Sequence, residues 1–364
     1  MCSTPSAIAS EIDLASTMPF AERLLTWYQK SGRHSLPWKI DPTPYRVWLS
    51  EIMLQQTQVS TVLEYFARFT AQFPDLSTLA AADEDAVLAA WTGLGYYRRA
   101  RNLLKAARQV ADEHDGQLPD DLESLQALPG IGKSTAGAIM ALAFNRRATI
   151  LDGNVKRVLS RIHGITDWPG KRDVETRLWR LAEAHTPTRD VSSYTQAIMD
   201  LGATLCTRRA PSCHQCPAIE LCTAHRLGMS HQIPAPAPRK KPPERSAFML
   251  VIEDASGHVL LEKRPGQGVW GGLWCFPEHS DSQGAEAAAR HLVGRADRLM
   301  PAPAKMRHQF THYRLNLTLS HVRISDRPLL AVRDRNLDWF APHELSTVGL
   351  AAPVVRLLNP TSQD

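Results

Sequence analysis

Between residues 20 and 205, apolar positions recur three and four apart, in blocks broken by Pro, Gly and Asp. That period places the apolar side chains on one face of a helix. It predicts amphipathic helices over 44–69, 83–91, 98–113 and 174–184. A helix of small residues over 134–144 and a short one over 155–162 lie among them. No strand alternation of convincing length interrupts this helical run. The character changes over 230–246, where five prolines and four cations stand in seventeen residues with Glu244 the only acid. Such a composition predicts a solvated, polyproline-like linker. Beyond it, 247–253 and 259–264 have the pattern of two strands joined by a Ser256-Gly257 turn, the signal of a β-hairpin. An Ala-rich helix near 285–293 and further strands near 313–324 complete a second, α+β domain. The expected organisation is a flexible N-terminus over 1–19, a mainly α domain over 20–229, a linker over 230–246 and an α+β domain over 247–364.

Composition adds limits. A chain of 364 residues has room for two or three domains. Forty-two Lys and Arg against 37 Asp and Glu give a net charge of +5, which favours a polyanionic partner without deciding one. A 43% hydrophobic content supports buried cores and excludes a mostly disordered chain. The most apolar helical stretch, 136–144, is far short of the roughly 20 residues a bilayer span needs. Glu11 and Asp13 interrupt the first eighteen residues, which therefore do not resemble a secretory signal. The expectation is a soluble intracellular protein.

Four of the six cysteines point to a metal. Cys206, Cys213, Cys216 and Cys222 fall within seventeen residues, whereas Cys2 and Cys275 stand apart. A secreted disulfide scaffold spreads its cysteines along the chain. Four thiolates in one compact loop can wrap a metal centre, and thiolates select zinc, iron–sulfur clusters or Cu(I). Structural zinc usually draws on two knuckles separated by a longer loop; a single C-x2-C in one loop favours a [4Fe–4S] cluster, with zinc the alternative.

Four further segments carry candidate chemistry. Leu128-Pro129-Gly130-Ile131-Gly132 joins two helical stretches, and Gly130 and Gly132 allow a sharp turn with exposed amides at a helix start, a geometry that suits a phosphate. A plain helix–helix connection explains the same residues. Asp152, in Leu151-Asp152-Gly153-Asn154-Val155-Lys156-Arg157, fits the N-cap of the next helix. A carboxylate there is expected to stay ionised, because helix amides lower its pKa. Glu51 shares a helix face with Val47, Trp48, Leu54 and Gln55, a largely apolar stripe. Desolvation there raises a carboxyl pKa toward neutrality, unless a buried Arg pairs with it. One carboxyl raised and another lowered is the pairing that glycosidic-bond cleavage uses. Finally, Gly93-Leu94-Gly95-Tyr96-Tyr97-Arg98-Arg99-Ala100-Arg101 interleaves rings, which stack on or wedge between bases, with cations that hold phosphates.

Together these segments resemble the helix–hairpin–helix DNA glycosylases of the endonuclease III superfamily, over roughly 20–226. Within that span WLSEIMLQQTQV, GLGYY, LDGNVKRVLSR and YTQAIMDLGATLC resemble the A/G-specific adenine DNA glycosylases, the MutY family. In the tail, WGGLWCFP and Phe310-Thr311-His312 resemble that family's C-terminal Nudix-like domain. The resemblance implies a mainly α helix–hairpin–helix glycosylase fold with one [4Fe–4S] cluster, followed by an α+β Nudix-like domain. It implies a monofunctional enzyme, monomeric and cytoplasmic in a bacterium. Its partner would be double-stranded DNA with an adenine:8-oxoguanine or adenine:guanine mispair, whose adenine is flipped out and hydrolysed off.

Carried over, Glu51 protonates adenine N7, Asp152 stabilises or traps the oxocarbenium-like sugar, and Asn154 orients them. Gln196 contacts the adenine edge. Gln56, Thr57, Leu94 and Tyr96 surround 8-oxoguanine, with Tyr96 as the intercalating ring, and Phe310, Thr311 and His312 read it from the second domain. Gly130, Gly132 and Ser134 belong to the DNA-binding hairpin. Thr311 replaces the usual serine of the 8-oxoguanine loop. Ser134 stands where some members place a Tyr beside the catalytic Glu and where the lyase branch needs a Lys. After Phe276-Pro277-Glu278 the Nudix hydrolase acid cluster is missing, so the tail is expected to read DNA and not to hydrolyse pyrophosphate.

Overall fold

The computed structural model describes residues 17–238, 242–293, 304–310, 313–325 and 336–358. It divides into two compact units, one made of 1–70, 75–77 and 106–238, the other of 71–74, 78–105 and 239–364.

Helices come first in chain order: α1 (Thr17–Ser31), α2 (Pro37–Ile40), α3 (Pro44–Leu54), α4 (Val59–Gln72), α5 (Leu76–Ala81), α6 (Glu84–Ala90), α7 (Arg98–Glu113), α8 (Leu122–Ala127), α9 (Lys133–Phe144), α10 (Gly153–Ile162), α11 (Arg172–His185), α12 (Val191–Thr204) and α13 (Thr223–Arg226). The helix expected over 44–69 is two helices. Gln55 leaves the helical basin with ψ 111° and Gln56 takes φ 58°, so the ladder stops after Leu54 and restarts at Val59. A left-handed non-glycine residue is uncommon, and Gln56 was already a candidate site residue.

The first unit's core is built by α1, α10, α11 and α12. Phe20, Leu24, Val155, Leu159, Leu178, Tyr194 and Leu201 form one buried cluster. One small residue permits close approach and another a turn. A Cβ on Gly202 of α12 would lie 2.6 Å from the Asn154 Cβ, so only glycine lets α12 reach the start of α10. Gly130, at φ 86°, makes the turn between α8 and α9.

In the second unit the described residues form a sheet of seven strands whose path, numbered in chain order, runs third, second, first, sixth, fifth, with the fourth on the first and the seventh on the second. Its strands are β1 (Glu244–Asp254), β2 (Val259–Lys263), β3 (Trp274–Cys275), β4 (Glu278–His279), β5 (Ala304–Gln309), β6 (Arg314–Ile324) and β7 (Leu337–Phe340). β1 and β2 form the expected antiparallel hairpin, and β1 pairs parallel with β6, Phe248 opposite Thr318. Helices α14 (Ser282–Val293) and α15 (Ala352–Leu358) complete the order, and Ala289 and Leu292 of α14 cover Leu250, Ile252 and Val322. Residues 78–105 belong with this sheet: Lys263 Nζ is 2.8 Å from Asp85 Oδ2, and a Cβ on Gly349 would meet Leu88.

The expected linker over 230–246 differs at both described ends. Ser230 and Ile233 are buried, Ile233 O accepts from Arg161 Nε at 2.9 Å, and Ala235 N donates to Thr166 O. At the other end β1 already begins at Glu244. Proline content signals an irregular backbone, not a solvated one; an apolar Ile and a buried Arg seeking acceptors dock its first third.

Candidate active site

Glu51 lies on α3 among Val47, Trp48, Ile52 and Met53, all buried. The pattern of that helix brings a carboxyl into an apolar wall. Among the described residues no hydrogen bond or ion pair holds it, so the alternative of a paired buried Arg is not realised. Burial, and then the charge of Asp152, push its pKa up to about 7.

Asp152 is the N-cap of α10, as expected. Its Oδ1 accepts from Val155 N at 2.8 Å and its Oδ2 from Asn154 Nδ2 at 3.3 Å. The expected lowering of its pKa is not found. Burial raises it and outweighs the Val155 and Asn154 amides and the Arg157 charge, which pull the other way. The capping reading weighed the amides but could not see how little water reaches the carboxyl. The two carboxyls remain unequal: donors and a cation oppose the rise at Asp152, whereas no opposing influence acts on Glu51. When one proton is shared, Glu51 keeps it.

Asn154 is itself held. Its Oδ1 accepts from Arg157 Nη2 at 2.8 Å, and the same guanidinium donates to Gly202 O at 2.6 Å and, through Nε, to Cys206 O at 2.7 Å. Arg157 was visible only as a cation in a motif; its role depends on α12 and the cysteine loop coming to α10, which no local pattern encodes. Ser134, in the first turn of α9, accepts from Leu151 N at 2.9 Å and so steadies the residue before Asp152. It makes no bond to Glu51. Lys133 beside it holds its ammonium 4.1 Å from the centre of the Trp179 ring. Gly132 caps α9 with open space around it, as an anion-binding turn needs.

Gln196 on α12 is 5% exposed and donates through Nε2 to Asp200 Oδ1 at 2.9 Å. Gln56 is exposed and Thr57 partly buried, in the first unit. Leu94 and Tyr96 lie in the second: Leu94 is buried, whereas Tyr96 is 45% exposed at φ 50°. Arg99 braces that turn, its Nη2 donating to Gly95 O at 3.1 Å and its guanidinium lying 5.5 Å from the Tyr96 ring centre. Phe310 follows β5 within an aromatic group, 5.2 Å from Trp270 and 4.8 Å from Tyr313. Thr311 and His312 lie outside the described residues.

Cys206, Cys213, Cys216 and Cys222 line one cavity with Leu201, Leu205 and Ile219. Burial pushes the Cys216 thiol up to about 12 and raises Cys222, and the neighbouring cysteines add to both. Arg161, 2% exposed, donates to Cys206 Sγ at 3.2 Å and to Thr207 O at 2.7 Å, which ties α10 to the loop. Four soft donors around one space fit a metal centre. Among the described residues no three His, Cys, Asp or Glu side chains converge tightly enough for a single ion.

Residues 49–184 match the HhH-GPD superfamily of base excision DNA repair proteins, and 248–360 match the NUDIX domain. An adenine DNA glycosylase of Buchnera aphidicola (subsp. Schizaphis graminum) is 35% identical, over 93% of this chain and 98% of its own. The human adenine DNA glycosylase is 31% identical, over 95% of this chain and 74% of its own. In fold, a non-covalent endonuclease III–DNA complex superposes at TM-score 0.51 and 20% identity, over 60% of this chain and 99% of that one. With a helix–hairpin–helix glycosylase unit, a Nudix-like sheet and relatives aligned along nearly the whole chain, the protein belongs to the MutY family of adenine DNA glycosylases.

Proposed function

We propose that this DNA repair glycosylase hydrolyses adenine from mispairs with 8-oxoguanine and guanine, after flipping the adenine out of the duplex. The observation that carries the reading is the unequal carboxyl pair: Glu51, desolvated and raised to about 7 with the charge of Asp152 adding to the rise, and Asp152 held by an amide, Asn154 and, through it, Arg157. A protonated Glu51 gives its proton to adenine N7 and turns the base into a neutral leaving group. As the N-glycosidic bond breaks, positive charge develops on the sugar, and the Asp152 carboxylate stabilises it or bonds to C1′. Glu51, now a carboxylate, takes a proton from the attacking water. No amine stands at position 134, and Lys133 is occupied over Trp179, which supports hydrolysis without a Schiff base.

Tyr96 is the ring that enters the stack, with Gln56, Thr57, Leu94, Phe310, Thr311 and His312 in contact with 8-oxoguanine. Single-turnover excision of adenine opposite 8-oxoguanine, guanine and cytosine tests the reading; equal rates on all three would overturn it. The pH profile of kcat/KM should be a bell. Its alkaline limb falls near pH 7, where Glu51 loses its proton, and its acid limb falls where the raised Asp152 gains one. A rate still rising at pH 9 would remove Glu51 as the acid.

The cysteine loop is proposed to hold one [4Fe–4S] cluster. Four cysteines that line one cavity supply the soft thiolate donors that such a cluster takes, with zinc the alternative. Cys206, Cys213, Cys216 and Cys222 would hold the cluster, which would cross-link the loop, and Arg161 and Arg157 tie that loop to α10 through Cys206. Purified protein should be brown and contain about four irons per chain. Colourless protein with one zinc would decide for the alternative. Among the described residues no helix is long and apolar enough to cross a membrane; a monomer in the bacterial cytoplasm is the proposed state.

A further inference from the structure

Gln196 is held by one end of its amide. Its Nε2 donates to Asp200 Oδ1 at 2.9 Å, one helical turn further along α12. Asp200 is fully buried, and Arg33 grips it from the segment after α1. Nη2 and Nε donate to Oδ1 at 2.6 and 2.9 Å, and the Arg33 amide donates to Oδ2 at 2.8 Å. Lys39 Nζ in turn donates to Arg33 O at 2.9 Å and to the Tyr28 hydroxyl. A carboxylate paired in this way has no proton to offer and can only accept. The glutamine must therefore turn its NH2 toward Asp200, an orientation that follows from chemistry and not from how O and N are told apart. What remains is Oε1. Among the described residues nothing donates to it, and it is not sealed from solvent.

We propose that Asp200 and Arg33 are positioning residues that fix the sense in which Gln196 reads the base. The outward Oε1 accepts from the N6 amino group of adenine and opposes the oxygen of any purine that carries a carbonyl at C6. The proposal rests on the reading that Gln196 meets the adenine edge; α12 packs on α9 and α10, which carry Ser134 and the Asp152 cap. It adds that the acceptor sense is imposed from behind, by an ion pair that itself touches no substrate. A site built to bond one group rejects a partner that leaves its polar atom unpaired or opposed. A single contact of this kind is worth about ten- to a hundredfold in discrimination.

The test uses full-length protein and single-turnover excision of adenine and of hypoxanthine, each opposite 8-oxoguanine. Comparing the adenine-to-hypoxanthine ratio among variants cancels the intrinsic difference between the two leaving groups. Gln196→Ala sets the unread baseline. Asp200→Asn can donate as well as accept, so the glutamine amide is free to turn either way. Its ratio should fall about tenfold or more toward that baseline, and hypoxanthine should gain in absolute rate. Arg33→Lys keeps a cation on an acceptor-only carboxylate and should keep most of the preference. A merely structural role for Asp200 would slow both bases alike and leave the ratio unchanged, which overturns the proposal. If Asp200→Asn does not fold, the exchange Gln196→Glu with Asp200→Asn carries the question. An amide donor then faces an acceptor-only side chain, and adenine preference should persist; its loss overturns the proposal. A Gln196→Ala protein with full adenine preference would instead remove the reading on which the proposal rests.

Discussion

Glu51→Gln should all but abolish adenine excision while making the folded protein more stable at alkaline pH. The loss of rate is that of a general acid, roughly two to four orders of magnitude, because an amide has no proton to give to N7. Binding of the mispaired duplex should survive, since the side chain keeps its shape. The gain in stability follows from the same displacement that makes the acid work. Glu51 titrates near 4.5 in an unfolded chain and about 7 in the folded protein. Between those values the folded state binds more protons than the unfolded one, so stability falls as pH rises through the window. Above pH 7 the folded protein carries the whole penalty, at most about 3 kcal/mol for a shift of this size. Gln carries no charge and escapes it. Melting temperatures of the two proteins should therefore coincide near pH 4.5 and separate by a few degrees at pH 8, the variant higher. Equal melting temperatures at pH 8 would mean that Glu51 is not desolvated.

The second large effect is expected at Arg157, which acts on Asp152 through Asn154. Its guanidinium bonds the Asn154 side chain, the Gly202 carbonyl and the Cys206 carbonyl, and Asn154 bonds Asp152. Arg157→Ala leaves two carbonyls without their donor and lets Asn154 turn away from the carboxylate. A misplacement of about 1 Å at a catalytic group costs roughly a hundredfold in rate. Unmet buried acceptors cost about 1–3 kcal/mol each in stability. Arg157→Lys keeps the charge but cannot span three acceptors with one planar fork, so it should recover only part of the rate. Single-turnover excision and thermal melting together check this: lost stability with unchanged excision would show that the bridge holds the loop without positioning Asp152.

Much of this was legible along the chain. The 3.6-residue period is a local property, and α7 over Arg98–Glu113 matches its expected bounds. Capping chemistry is equally local, which is why Asp152 could be placed at the start of α10 from a few residues. Burial is not local. The break at Gln55–Gln56 divides a continuous amphipathic pattern because the backbone there takes a left-handed residue that no propensity marks. The docking of Ile233 within a proline-rich segment depends on Arg161, 72 residues away, needing acceptors.

The sequence by itself determined the helical and α+β parts, the cap, the apolar stripe under Glu51 and the four-cysteine loop, because each is written in spacings of a few residues. Only the tertiary structure decided the direction of the shift at Asp152, since desolvation depends on what packs over a side chain and reversed the expected lowering there. It alone joined Arg157 to Asn154, Gly202 and Cys206, and Gln196 to Asp200 and Arg33. Those groups come from segments up to 167 residues apart, and hydrogen bonding, acting over about 3 Å, can be read only after folding has brought them together.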